Sequence, residues 1–176
     1  MFIEKTVERG HHIMYAIGEK IIYGEQGACE ISDVGHVAMQ GIAKDRLFYT
    51  LRPLSGGGTI YAPVDSPVYM SPVMAAEEAK AFLAAIPAIE ATVCPETKVT
   101  KADAYYKSIF SSHSREALVA MLKGLAGCCT DRRHTLNLRL ERISKRARDF
   151  LESELSAALA ISTQEAQQLL ADAMKK

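Results

Sequence analysis

The spacing of apolar residues changes near residues 72–75, and that change divides the chain. Before it, short apolar and β-branched runs are broken every few residues by glycine or proline. After it, apolar residues recur three and four apart, the period of a helix with one buried face. The chain therefore reads as α+β, a small twisted β-barrel or sheet followed by an all-α helical bundle.

The first half reads as five short strands. Ile17 to Tyr23 is β-branched and aromatic, and Gly24-Glu25-Gln26-Gly27 supplies a turn. Ala28 to Val37 alternates loosely, with Cys29, Ile31 and Val34 on one side. Arg46 to Leu51 is the next strand. Gly56-Gly57-Gly58 allows positive φ at a hairpin turn. Thr59 to Val64 returns as a strand. Pro63 lacks an amide donor, so this strand belongs at an edge or stops pairing there. Val68-Tyr69-Met70 is a last short strand.

In the second half, Ala79, Phe82, Leu83 and Ile86 mark a helix over Ala75–Ile86, closed by Pro87. Residues 88–100 read as a linker. Lys101 to Phe110 forms a helix presenting Tyr105, Tyr106, Ile109 and Phe110. Ser112-His113-Ser114 caps the next helix, whose face is Leu118, Met121, Leu122 and Leu125. A long helix from about Arg133 to Leu159 carries a seam of Leu136, Leu140, Ile143, Ala147, Phe150/Leu151, Glu154/Leu155 and Ala158. Ser162-Thr163-Gln164-Glu165 has capping-box spacing and starts a final helix with Leu169, Leu170 and Met174.

Catalytic and metal-binding classes find no support in these residues. The triple glycine lacks the ending of a phosphate loop and lies between two strands. No nucleophile elbow is present. The five histidines form no helical i, i+4 pair, and His11-His12 reads as an incidental N-terminal pair. Cys29, Cys94, Cys128 and Cys129 show no CxxC spacing, so no metal and no cofactor is expected. No apolar run approaches the ~20 residues that span a bilayer, and the N-terminus lacks the apolar core of a secretory signal. A non-enzymatic, cytoplasmic protein without membrane contact is expected.

Two surfaces remain. The strand Thr59-Ile60-Tyr61-Ala62-Pro63 can accept a partner's strand at its edge, or stand capped by Pro63. The other surface is basic. Net charge is zero, yet residues 101–148 hold 11 Lys and Arg against 4 Asp and Glu. Lys101, Tyr105, Tyr106 and Lys107 interleave cations with aromatics. Arg132, Arg133, Arg139, Arg142, Lys145, Arg146 and Arg148 add a dense cationic set mostly off the apolar seam. Such a segment suits a polyanion and equally a solvated helical face. The tyrosines could stack on bases or wedge at a distorted step, or be buried between helices.

These segments together resemble the CarD/CdnL family of bacterial RNA polymerase-binding proteins. IGEKIIYGEQGACEI is similar to the family's opening strand and turn at Gly18, Glu19, Ile22, Tyr23 and Gly27. FYTLRPLSGGGTIYAPVD is similar to its following hairpin, with Ala62-Pro63-Val64-Asp65 at the end. Ala147, Arg148, Leu151, Glu154 and Leu155 fit the pattern of its last two helices. The likeness runs over roughly residues 15–175 and implies three parts. Residues 1–13 are an extension expected to be poorly ordered. Residues 14–73 are a Tudor-like module that docks on the RNA polymerase β subunit through an edge strand. Residues 74–176 are a helical domain lying on promoter DNA at the upstream edge of the melted bubble, mostly without base readout.

The resemblance further implies a monomeric transcription regulator that modulates open-complex stability. The alternative is an adaptor or competitor that binds polymerase without touching DNA. Family members wedge a tryptophan into the minor groove. This chain has no tryptophan, and the wedge position falls at about Ala102, leaving Tyr105 or Tyr106 as substitutes. Two polymerase-facing arginines of the family fall near Val37 and Tyr61, with Arg46 or Arg52 standing in. The polymerase-binding candidates are therefore Arg46, Arg52 and Thr59 to Pro63. The DNA-binding candidates are Lys101, Tyr105, Tyr106, Lys107, Arg132, Arg133, Arg139, Arg142, Lys145 and Arg146.

Overall fold

The computed structural model describes residues 15–37, 46–96, 98–129 and 138–175, without the side chains of residues 99, 128 and 129. The expectations for residues 1–13, Arg132, Arg133 and Leu136, and for the side chains of Cys128 and Cys129, lie outside these. The chain divides into two compact units, with the boundary between Val73 and Met74.

The first unit is a five-stranded antiparallel sheet built from β1 (Lys20–Tyr23), β2 (Ala28–His36), β3 (Leu47–Pro53), β4 (Ile60–Pro63) and β5 (Met70–Pro72). Its order is β4-β3-β2-β1-β5, so β4 and β5 are the edges. β1 and β5 begin two or three residues later than in the sequence reading. β1 starts three residues after Ile17, because Gly18 takes φ 85° and its N–H donates to the Ile31 carbonyl at 2.7 Å. β5 starts at Met70 because residues 64–69 are spent on turns closed by Ser66.

One face of the sheet carries the main core cluster, Tyr15, Ile21, Cys29, Ile31, Tyr49, Leu51 and Ala62, while Ile22, Ala28 and Phe48 are buried on the other. Cys29 and Ile31 alternate, but Val34 joins them three residues on. A register shift between Ile31 and Asp33 sets Ser32 aside as a bulge, which restores Val34 to the core side. The Tyr15 amide donates to the Tyr49 hydroxyl at 3.0 Å, pinning the start of the module to its centre. Burial raises the pKa of both phenols, and that of the Cys29 thiol to about 11, so this thiol is not a nucleophile at neutral pH.

The second unit comprises α1 (Ala76–Ala85), α2 (Val99–Ser111), α3 (Arg115–Cys129), α4 (Leu138–Leu159) and α5 (Thr163–Lys175), with a 3-10 turn at Ile86–Ala88. Pro87 falls within that turn, just after α1 ends. The expected face of α3 is buried as a set: Leu118, Met121, Leu122 and Leu125. On α5, Ala166 and Leu170 are buried and Leu169 is exposed, because the core lies between the directions of residues 166 and 170. The capping box at its start is made: the Ser162 amide donates to Glu165 Oε2 at 2.8 Å and the Glu165 amide to Ser162 Oγ at 3.2 Å.

From Phe150 to Ser156 every residue of α4 is buried. That stretch is the centre of the bundle, packed by α1, α3 and α5, although four of its residues are polar. Ser153 donates to the Phe150 carbonyl within the helix, and Ser156 to the Ile161 carbonyl just past its end. Glu154 is fully buried and accepts from Arg115 of α3 and from the Met74 amide. Among the described residues no buried side-chain nitrogen or oxygen is left without a partner, which is the condition for burying it. No helix among the described residues is long and apolar enough to cross a membrane.

Candidate interaction surfaces

The hairpin of β3 and β4 ends in the Gly56–Gly57 turn, where φ values of 87° and 114° exclude ordinary side chains. Its register sets Phe48 opposite Pro63, Tyr49 opposite Ala62, Thr50 opposite Tyr61 and Leu51 opposite Ile60. The Val64 amide donates to the Leu47 carbonyl at 3.0 Å. Backbone direction alternates along a strand, so Ala62 and Ile60 also turn their backbone groups to β3, whereas Tyr61 and Pro63 turn theirs away. Pro63 has no N–H. Within β4, Tyr61 is thus the residue offering both a donor and an acceptor to an added strand.

Side chains follow the same alternation. Tyr61 is 48% exposed, while Ala62 is fully buried and Ile60 packs against the core. Of the residues expected to meet a partner, Ile60 and Ala62 instead face inward with their side chains and β3 with their backbones. Tyr61 and Pro63 share the outer face with Phe48, Thr50 and Arg52 of β3, of which Phe48 is buried and Arg52 exposed. At one end of that face Arg46 pairs with Asp65 at 2.9 Å, its guanidinium 6.0 Å from the Phe48 ring centre. Thr59, just before the strand, is exposed. The outer face therefore gathers Arg46, Arg52, Tyr61 and Pro63 on one hairpin.

The opposite edge is blunted in the same manner. The Gly24 amide donates to the Tyr69 carbonyl at 2.8 Å, so Ser71 faces β1, and Met70 and Pro72 face outward. A proline again removes a donor from the free side.

On the helices, the cationic set divides. Lys107, Arg142, Lys145, Arg146 and Arg148 are exposed, and Arg139 is half-buried. Several are engaged within the unit. Arg139 of α4 forms an ion pair with Asp103 of α2, and the Arg146 guanidinium lies 5.3 Å from the Phe110 ring centre. Lys145 pairs with Asp149 at 2.7 Å, and Lys101 with Glu96 at 3.8 Å. The Arg139 and Arg146 contacts join α2 to α4, and all four screen part of the charge that the sequence displays.

The tyrosines separate as well. Tyr106 is buried. Tyr105 is half-buried and meets Tyr106 edge to face at 5.4 Å, and burial raises its pKa, with the nearby Cys94 adding to the rise. Ala102 is half-buried on the same stripe as Tyr105 and Ile109. Tyr106 thus has no free ring to insert into a base step.

The sequence reading did not single out three structural residues. Arg115 reaches Glu154 across 39 positions. Lys123 donates to the carbonyls of Ile86 at 2.7 Å, Pro87 at 3.3 Å and Ile89 at 2.9 Å, holding the connection after α1. Gly124 admits the Thr92 carbonyl where a Cβ would overlap it. Only Lys123-Gly124 as a small step beside a cation could have drawn notice.

Comparison with curated proteins returns no match. Among family models, the CarD-like/TRCF RID domain matches residues 15–74, the full span of the sheet unit as described.

Proposed function

We propose, on the premise that residues 15–74 are a CarD-like/TRCF RID domain, that this chain is a transcription regulator that binds RNA polymerase through β4. The premise carries the coarser statement, an RNA polymerase-interacting and transcription-related protein. The choice of partner surface rests on one observation: Tyr61 alone in β4 turns a complete donor–acceptor pair, and an exposed ring, to the free side of the sheet. An added strand from the polymerase β subunit would bond there, with Arg46 and Arg52 beside it on the outer face. The bonds of the β module are made by backbone, so the chain needs no catalytic group, and a non-enzymatic role in the cytoplasm is the consistent reading.

The helical unit would then lie on promoter DNA. Its exposed Lys107, Arg142, Lys145, Arg146 and Arg148 suit phosphates better than base edges, so binding should be weakly sequence-dependent and strongly salt-dependent. The polymerase tether raises the local concentration of DNA, so modest affinity suffices to alter open-complex stability.

A pull-down with the polymerase β-subunit lobe tests the docking. Tyr61→Glu should abolish capture, and Tyr61→Pro should weaken it by removing the outward amide while leaving the β3 bonds intact. Undiminished capture by both variants rejects the β4 mode. A second reading, an adaptor or competitor without DNA contact, is favoured by the engagement of Arg139 with Asp103 and by the burial of Tyr106. Unchanged open-complex lifetime with Arg142→Glu and Arg148→Glu would select it.

A further inference from the structure

Two contacts fix how α2 lies on α4. Asp103 meets Arg139, and Phe110 meets Arg146. Both pairs are seven residues apart on their own helix, so the two helices run parallel along the seam and advance by the same ~10.5 Å. Midway along this seam stand Lys107 on α2 and Arg142 on α4. At ~100° per residue, Lys107 is rotated about 50° to one side of the line through Asp103 and Phe110. Arg142 is rotated about 50° in the opposite sense from the line through Arg139 and Arg146. On facing parallel helices, opposite rotations lead to the same rim of the seam. Two exposed cations therefore stand together on one rim, between two attractive contacts. Among the described residues neither has an ion-pair partner.

We infer that this rim holds one phosphate of a nucleic-acid backbone between Lys107 and Arg142, and that the bound phosphate draws α2 onto α4. The inference rests on the DNA-contact half of the function proposed above. Like charges facing across a seam repel, and an anion between them converts that repulsion into two charge-assisted contacts. A phosphodiester suits the place because it presents two acceptor oxygens to two donors on separate helices. Among the described residues α2 buries Tyr106 and Phe110 but packs less closely on its neighbours than the other helices do, so its docking is the element that such a contact would bias. DNA binding and helix docking thereby become linked: each favours the other.

Thermal unfolding and DNA titration of the full chain test this. Lys107→Glu replaces the repulsion by attraction to Arg142 and should raise the melting temperature above that of Lys107→Gln. Adding Arg142→Glu to Lys107→Glu restores a like-charged pair and should reverse the gain. For duplex DNA, Lys107→Gln and Arg142→Gln should each weaken binding several-fold and lower the salt slope by about one. Inorganic tripolyphosphate should raise the wild-type melting temperature and leave that of Lys107→Glu unchanged. Equal melting temperatures for Lys107→Glu and Lys107→Gln would show that the two side chains do not share a rim. An unaltered salt slope in both Gln variants would remove the phosphate. Capture by the polymerase lobe should be the same in every one of these variants, so failure of the rim and failure of the β4 docking mode give different results.

Discussion

Arg115 on α3 grips the carboxylate of Glu154 on α4 with two hydrogen bonds, Nε to Oε2 at 2.8 Å and Nη2 to Oε1 at 2.5 Å. The same carboxylate accepts the Met74 amide at 3.4 Å. The sequence set Glu154 on the apolar seam of its helix, and the structure keeps it there, fully buried. A charge so placed is tolerated only with its partner. Arg115→Ala should therefore cost about 3–5 kcal/mol in urea unfolding. Replacing both residues by methionine should cost clearly less than that, because no buried charge is left unpaired. A double variant no better than Arg115→Ala would mean that packing, not the ion pair, sets the loss.

Gly124 lies where the segment after α1 crosses α3. The Thr92 amide donates to the Ala120 carbonyl at 2.9 Å, and a Cβ on residue 124 would overlap the Thr92 carbonyl. The obstacle is backbone, which cannot swing aside as a side chain can. Gly124→Ala should destabilise the helical unit by about 1–3 kcal/mol, as overpacking does, despite its gain in helix propensity. A Cβ added at Gly127 on the same helix would meet no atom within 4 Å. Gly127→Ala should be neutral or stabilising, and chemical denaturation of the two variants separates the effects.

Ala160 ends α4 with φ 53°, the left-handed conformation that glycine adopts freely. The Ile161 amide then reaches back to the Ser156 carbonyl at 3.2 Å. Ala160→Gly should raise stability by about 1 kcal/mol, since it relieves the Cβ clash and keeps the hydrogen bond. Thermal unfolding would show an increase; a decrease would mean that the lost unfolded-state restriction outweighs the relieved strain.

Glu152 and Glu165 make opposite contributions to stability as a function of pH. Burial, with Asp149 close by, raises the pKa of Glu152 above the ordinary 4.5, against the pull of Arg148 and Lys145. The folded state then binds its proton more readily than the unfolded state, so this group costs stability once pH rises through the folded value and the cost is relieved below it. The Ser162 amide and hydroxyl hold the Glu165 pKa below 4.5. Its contribution is complete above 4.5 and is lost as pH falls through the folded value. Glu152→Gln should stabilise the protein at neutral pH and flatten its stability just above pH 4.5. Glu165→Gln should instead remove stability at neutral pH and flatten the profile below pH 4.5. Melting temperatures across pH 3–7 check both signs.

The composition of residues 101–148 revealed a basic segment, but not how its charge is spent. Arg139 finds Asp103 across 36 positions, and Arg146 finds the Phe110 ring, so the free cations are a subset that no run of sequence marks. Within the edge strand, alternation alone separates Tyr61 from Ala62. Which of the two faces out depends on the register with β3, and hence on the hairpin. The bulge at Ser32 is likewise a matter of two strands: residue spacing in β2 shows a broken alternation, and only the pairing with β3 tells which residue is set aside.

The sequence by itself determined the local elements. Glycines at positive φ, a proline at a strand end, a capping box and the change from period two to period 3.6 act within a few residues, so they are written in the chain. The tertiary structure decided the pairings: Arg115 with Glu154, Arg139 with Asp103, the Thr92 carbonyl against Gly124, and the exposure of Leu169 beside the buried Leu170. Those outcomes depend on which surfaces meet after the chain folds back on itself. Burial and charge pairing act through space, and the distance along the chain between two residues carries no record of them.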